Sequence, residues 1–204
     1  MTDHIANLIE GNRELSPIRE ELAQAAELII SCYQAGGKVL ICGNGGSAAD
    51  SEHIAGELLK GFLKRRPLPE TLAAKLPAGL AGRLQMGLPA VSLVSHSALL
   101  TAVINDLGSD LMYAQQVMAL GTENDVLIGL STSGNAENVV NAFHAAAAKG
   151  IRRIAMTGER DSRMSALADI TLRVPASSTP EVQEYHLKLY HTLCAQVEEY
   201  FFPI

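Results

Sequence analysis

Tryptophan is absent, and aromatic residues make up only 4% of the 204 residues. With so few rings, the six methionines read as core filling and not as a cofactor box. Basic residues are outnumbered: 16 Lys and Arg against 22 Asp and Glu give a formal net charge of −6 and a pI of about 5.5. That deficit argues against a broad nucleic-acid footprint, which shows as clustered Lys and Arg. The only basic run, Lys64-Arg65-Arg66, is short and reads as a solvated helix end. No apolar run approaches the roughly 18–20 residues that span a bilayer. The first residues lack a basic start followed by an apolar core, so no signal peptide is expected. The three cysteines, Cys32, Cys42 and Cys194, show no metal-type spacing. Buried free thiols in a reducing cytoplasm account for them most simply.

What is there is apolar enough for a full core: 48% of the chain is hydrophobic. Five short, apolar runs stand out at 38–42, 89–94, 125–131, 151–157 and 169–174. Most are separated by segments of helical periodicity. That alternation predicts βαβ units and a parallel sheet covered on both faces, an α/β fold of three αβα layers. Ile18, Leu22, Ala25, Ala26, Ile29, Ile30 and Tyr33 share one stripe and predict a long amphipathic helix over 17–35, ended by Gly36-Gly37. A second long helix is expected over 180–200, with Pro180 near its first turn. The chain reads as one domain over 1–204, with an inserted segment at about 68–87 that is long for an αβ connection. Punctuated by Pro and Gly and mildly amphipathic, this segment reads as a lid or interface element that can hold a short helix.

Two loops carry the chemistry. After the first run comes Gly43-Asn-Gly-Gly-Ser47, then a helical segment. A strand, a glycine turn and a helix aim backbone N–H groups and the positive helix end at an anion such as a phosphate. After the third run comes Ser131-Thr-Ser-Gly-Asn135, with three consecutive hydroxyls. Both loops fall at strand carboxyl ends, where open parallel sheets bind ligands. Either alone would be an ordinary helix-capping turn; two at equivalent ends of one sheet favour an anion site. Neither has the Walker lysine nor the full dinucleotide spacing, so no nucleotide cofactor is expected.

On the helix after the first loop, His53 and Glu57 are four apart and share a face, with Asp50 one turn earlier. On the C-terminal helix, Gln183 and His191 are eight apart and can share a stripe, with His186 off it. If the two stripes meet, two His, a Glu and a Gln suit a borderline divalent metal such as zinc. His96 follows a strand and could line the site or sit in a turn. His4 and His144 read as surface residues. Asp106 falls in an expected loop, where it could cap the next helix or reach a substrate hydroxyl.

Taken together, these segments resemble the SIS (sugar isomerase) domain family, and within it the phosphoheptose isomerases. The resemblance is carried by Cys42-Gly-Asn-Gly-Gly-Ser-Ala-Ala-Asp-Ser-Glu-His-Ile-Ala-Gly-Glu57, Ile104-Asn-Asp-Leu107, the stretch 121–135, Ala155-Met-Thr-Gly158 and Val182-Gln-Glu-Tyr-His-Leu-Lys-Leu-Tyr-His191. It spans nearly the whole chain outside 68–87. It implies a five-stranded parallel sheet and a homotetramer with active sites at subunit interfaces. It also implies aldose–ketose isomerisation of a sugar phosphate, sedoheptulose 7-phosphate to D-glycero-D-manno-heptose 7-phosphate or a related heptose 7-phosphate. Ser47, Ser131, Thr132 and Ser133 match the phosphate site, with Asn44, Gly45 and Gly46 in the first loop. Asp106 matches a sugar contact. His53, Glu57, Gln183 and His191 match a metal cluster that holds zinc in some members. Glu57 and His191 match the catalytic base and acid. The chain departs from the family at Ala136, where a serine is common, at Pro180-Glu181, where Asp-Arg is typical, and in the inserted segment.

The implied chemistry is self-consistent. Moving a carbonyl between C2 and C1 needs a base that carries a proton between the carbons through an enediol, and an acid that shuttles protons between the oxygens. The phosphate anchors and orients the substrate. A second reading is a non-catalytic adaptor like the DnaA-binding replication-initiation factor, whose ending is similar to Tyr200-Phe-Phe-Pro203. An adaptor needs neither Glu57 nor His191, so the presence of both favours the enzyme.

Overall fold

The computed structural model describes residues 2–203. Five strands, β1 (Val39–Gly43), β2 (Ala90–Ser92), β3 (Val126–Leu130), β4 (Arg152–Thr157) and β5 (Ile170–Arg173), form one sheet in the order β2-β1-β3-β4-β5. Every pairing is parallel, with Ile41 opposite Ile128 and Ile128 opposite Ile154. This is the α/β architecture that the five runs predict. All five residues of β1 and of β3 are buried, as expected of strands covered on both sides.

Successive side chains point to opposite faces of a strand, and the two core clusters divide accordingly. Val39 and Ile41 face one cluster, built with α1 (His4–Gly11), α2 (Arg19–Gln34), α3 (Gly46–Leu59) and α10 (Thr179–Phe201). Leu40 and Cys42 face the other, built with α7 (Ala114–Leu120), α8 (Glu137–Ala148) and α9 (Arg163–Leu167). Helix α10 packs on both α2 and α3, so the end of the chain lies alongside the helix that follows the first glycine loop. All three cysteines are free and buried. No helix among the described residues is long and apolar enough to cross a membrane.

The N-terminal helix differs from expectation at its start. Residues Arg13–Ile18 wind as a 3₁₀ turn containing Pro17, and the α-helix begins only at Arg19. Proline disfavours the α conformation for the residue before it, here Ser16. The expected strand over 89–94 forms over only three residues, at the edge of the sheet, where a single neighbour supplies its hydrogen bonds.

The inserted segment carries two short helices, α4 (Glu70–Ala73) and α5 (Ala78–Ala81). Its ends are pinned by an antiparallel bridge between Pro67 and Gln85 and by the Met86 N–H donating to the Arg66 carbonyl at 2.7 Å. Leu72, Leu80 and Leu84 on it stay exposed.

The basic run is not a solvated helix end. Arg66 is fully buried and pairs with Glu198 of α10 at 2.8 Å, while Lys64 pairs with Glu199 at 2.7 Å. The chain turns back after α3, and α10 supplies two adjacent carboxylates that draw Lys64 and Arg66 inward, while Arg65 between them stays exposed.

Candidate active site

The first loop leaves β1 at Gly43, whose carbonyl accepts from the buried Tyr113 hydroxyl at 2.5 Å. Gly45 has φ +57° and ψ −121°, a conformation that costs glycine little and other residues much. It sits at the N-cap of α3, where no side chain caps the helix. The Ser47 and Ala48 N–H groups turn back to the Asn44 and Gly45 carbonyls, both at 3.0 Å, so the first turn offers a ligand the Gly46 N–H and the Ser47 hydroxyl. Asn44 is held by a reciprocal amide pair with Asn138, at 2.8 and 2.9 Å.

The second loop leaves β3 and turns at Gly134, φ +65°. Helix α8 starts behind Ala136, also without a side-chain cap. None of the Ser131, Thr132 and Ser133 hydroxyls caps α8, although Ser133 Oγ accepts from the Asn135 N–H at 3.2 Å within the loop. Both loops and the start of α10 line one cleft of about 340 Å³, which includes Asn44, Gly45, Gly46, Ser47, Ser131, Thr132, Ser133, Thr179 and Gln183. Gln183 lies so close to the first loop that a Cβ on Gly46 would fall 2.5 Å from its amide nitrogen. Neutral donors and backbone N–H groups around an open cleft suit a phosphate monoester.

Two turns further along α3 the second set of residues converges. His53 Nε2 lies 3.1 Å from Glu57 Oε1 and 3.4 Å from His191 Nε2. Lys60 donates to Glu57 Oε2 at 3.1 Å. The stripes on α3 and α10 therefore meet within one chain. Burial and the neighbouring His53 hold His191 below the usual imidazole pKa, against the pull of Glu57. Burial raises Asp50, opposed by a hydrogen bond from Tyr190 and by His53.

Two ligands of one tetrahedral zinc, with bonds of roughly 2.0–2.1 Å, stand about 3.3 Å apart. The spacings of His53 to Glu57 and to His191 fit that value, and imidazole and carboxylate are suitable donors. Even so, among the described residues no set of three or more His, Cys, Asp or Glu forms a ready-made metal cage. Glu57 gives one oxygen to Lys60, and Gln183 lies in the phosphate cleft against Gly46. The expected four-residue cluster is thus three residues brought together and one placed beside the first loop.

The remaining candidates fall elsewhere. Asp106 is the last residue of helix α6 (Ser97–Asp106), not a loop residue; it is exposed and accepts from Asn105 at 2.7 Å. His96 Nδ1 contacts Gln116 Oε1 at 2.9 Å, outside the cleft. His144 is exposed on α8, and half-buried His4 faces Glu199 at 3.8 Å. His186 is fully buried. Tyr190 was not among the expected residues, yet its hydroxyl lies 3.0 Å from His53 Nδ1 and 3.2 Å from Asp50 Oδ1. Its spacing of seven from Gln183, almost two whole turns, places it on the same face and was the signal available.

The SIS domain family matches residues 3–78 and 70–158. A phosphoheptose isomerase of Burkholderia pseudomallei (strain K96243) is 41% identical over 198 residues, covering 97% of this chain and 89% of that protein. Among solved structures, the phosphoheptose isomerase GmhA from Neisseria gonorrhoeae aligns with a TM-score of 0.77 at 36% identity, covering 96% of this chain and 95% of that one. A phosphoheptose isomerase from Francisella tularensis aligns with a TM-score of 0.76 at 32% identity, covering 95% and 94%. With the glycine loop, the hydroxyl loop and the His53–Glu57–His191 group all in place, the chain belongs to the SIS domain family and, within it, to the phosphoheptose isomerases.

Proposed function

We propose that this protein is an aldose–ketose isomerase that converts sedoheptulose 7-phosphate to D-glycero-D-manno-heptose 7-phosphate. The observation that carries this reading is the approach of His191, from α10, to His53 and Glu57 on α3, directly downstream of a cleft built for an anion. The phosphate binds at Ser47, Ser131, Thr132 and Ser133, with Gly45, Gly46, Asn44 and Gln183 completing the cleft. The sugar then extends along α3 toward Glu57.

Glu57 is the base. It takes a proton from C1 of the ketose and returns it to C2, so one carbanion equivalent is formed and quenched within the same substrate. Lys60 Nζ lies 3.1 Å from its Oε2 and leaves Oε1 to face His53. His191 passes a proton between the C1 and C2 oxygens. Its lowered pKa keeps it neutral near pH 7, able to accept at one nitrogen and donate at the other.

His53, Glu57 and His191 would hold a divalent ion such as zinc, with Gln183 swinging in from the cleft. When bound, such an ion polarises the carbonyl. We assign the protein to a homotetramer in the cytoplasm. Exposed Leu59 and Leu63 beside the site support self-association, and three unpaired buried thiols suit a reducing compartment. Asp106, flanked by exposed Ile104 and Leu107, is assigned as a sugar contact offered across a subunit interface. The adaptor reading leaves the Glu57–His191 pairing without a purpose.

Glu57→Gln tests the proposal. Turnover of sedoheptulose 7-phosphate should fall by about 10²–10⁴-fold, the usual worth of a positioned base, while the phosphosugar still binds. Exchange of the C1 and C2 hydrogens with solvent deuterium should fall in parallel. Unchanged turnover contradicts the assignment.

A further inference from the structure

The hydroxyl of Tyr190 touches two groups and lines neither end of the cleft. It lies 3.0 Å from His53 Nδ1 and 3.2 Å from Asp50 Oδ1. The tyrosine is 1% exposed, so water does not compete for that hydroxyl. The other Asp50 oxygen is buried without a partner, which leaves Tyr190 as the sole hydrogen-bond donor to this carboxylate among the described residues.

A phenol has one proton to give, and a carboxylate can only accept. The Tyr190 proton therefore goes to Asp50, and its oxygen accepts from His53 Nδ1–H. With the proton on Nδ1, the Nε2 lone pair faces Glu57 Oε1 at 3.1 Å and His191 Nε2 at 3.4 Å, two acceptors whose repulsion a cation or a second proton relieves by entering from this half-exposed side. The opposite arrangement, with Tyr190 donating to Nδ1, sets a phenol lone pair against the Asp50 carboxylate with no proton between them.

We propose that Tyr190 and Asp50 are positioning residues for His53. The chain Asp50···Tyr190···His53 fixes the plane and tautomer of the imidazole, so that Nε2 offers a lone pair to a cation held between it, Glu57 and His191. Groups that hold the far nitrogen of a ligating histidine typically govern 10- to 100-fold in metal affinity or activity. The consequence for turnover rests on the isomerase reading above. The tautomer does not, so the two ideas can fail separately.

Long-range ¹H–¹⁵N correlation spectra of histidine-labelled full-length protein test the proposal, with the His53 ring assigned by its loss in His53→Gln. Wild type should show His53 with Nδ1 protonated. Tyr190→Phe, which keeps the ring and loses only the hydroxyl, should shift His53 toward the Nε2–H form. It should also weaken zinc binding, measured by competition with a chromophoric chelator, by roughly 10- to 100-fold, and lower kcat more than it changes KM. Asp50→Asn gives an independent variant and should likewise disturb the tautomer. His53 protonated on Nε2 in the wild type, or Tyr190→Phe with the wild-type tautomer and zinc affinity, overturns the proposal.

Discussion

Arg66 and Glu198 form an ion pair at 2.8 Å with 0% and 1% of their side chains exposed. The pair is satisfied on every side. Glu198 also accepts from the backbone N–H groups of Phe62, Leu63 and Lys64 at 2.8, 2.8 and 3.0 Å. Arg66 also donates to the carbonyls of Leu58 and Glu57 at 2.6 and 3.1 Å. Those carbonyls belong to the last turn of α3, which a helix leaves without internal partners. One buried guanidinium thus closes the helix that carries His53 and Glu57 and ties it to the helix that carries His191.

Removing the arginine should therefore damage both stability and chemistry. Breaking a buried pair from one side costs about 3–5 kcal/mol, because the remaining charge stays buried without compensation. Arg66→Ala should lower the urea midpoint accordingly. Arg66→Lys should recover little, since an ammonium cannot span the carboxylate and two carbonyls as the planar fork does. Where the variant remains folded, kcat should also drop, because the Glu57 backbone has lost its anchor. A loss of under about 1 kcal/mol in equilibrium unfolding would remove this pair from the account of the site.

His186 gives the fold a defined sensitivity to acid. It is fully buried on α10, and neither ring nitrogen has a partner at hydrogen-bond geometry. Burial pushes its pKa down to about 4 from 6.5, with the Thr157 backbone only weakly favouring the cation. A lowered histidine pKa means that the unfolded chain binds a proton which the folded chain refuses. Stability therefore falls as pH drops through 6.5 and levels off below about 4. The shift corresponds to about 3 kcal/mol across that window. His186→Phe, of similar shape and without a titrating group, should lose this part of the slope. Urea unfolding at several pH values checks it, and identical pH profiles for the two proteins would refute it.

The degree to which this architecture could be read in advance follows from where each signal lies. Strands buried on both faces write their burial as continuous apolar runs, so Val39–Gly43 and Val126–Leu130 were legible. The length of α10 was legible for a similar reason, since its apolar stripe and Pro180 mark it locally. Arg66 was not legible, because a Lys-Arg-Arg run looks alike on a surface and in a buried return; only Glu198, 132 positions away, distinguishes the two. In segment 68–87 a short helix was legible, but not that there are two, nor their bounds. They are too short to show a period and are held by the long-range bridge between Pro67 and Gln85. Within the site, the four-residue step from His53 to Glu57 is local. Their meeting with His191 depends on α10 packing against α3, which no local pattern records. The role of Tyr190 is not legible, because an aromatic residue beside His191 on a packed helix reads as core, and its ring is indeed part of the core.

The two adjacent glycines of the first loop should respond differently to the same substitution, which separates conformational strain from occlusion. A Cβ on Gly45 would meet nothing within 4 Å, but φ is +57°. Gly45→Ala should therefore cost stability, on the order of 1–3 kcal/mol for a backbone region that L side chains rarely adopt, without filling the cleft. A Cβ on Gly46 meets the Gln183 amide at 2.5 Å. Because the amide is the far end of a flexible side chain, it can move aside, so Gly46→Ala should unfold nearly as the wild type does. The displaced Gln183 and the added methyl would then intrude on the anion cleft. A lost hydrogen bond to a charged group is worth about 1.5–3 kcal/mol, so phosphosugar affinity should fall roughly 10- to 100-fold. Calorimetric titration with the sugar phosphate, alongside thermal melts of both variants, checks the pair. Equal affinities for Gly46→Ala and wild type would mean that the phosphate does not sit between Gly46 and Gln183.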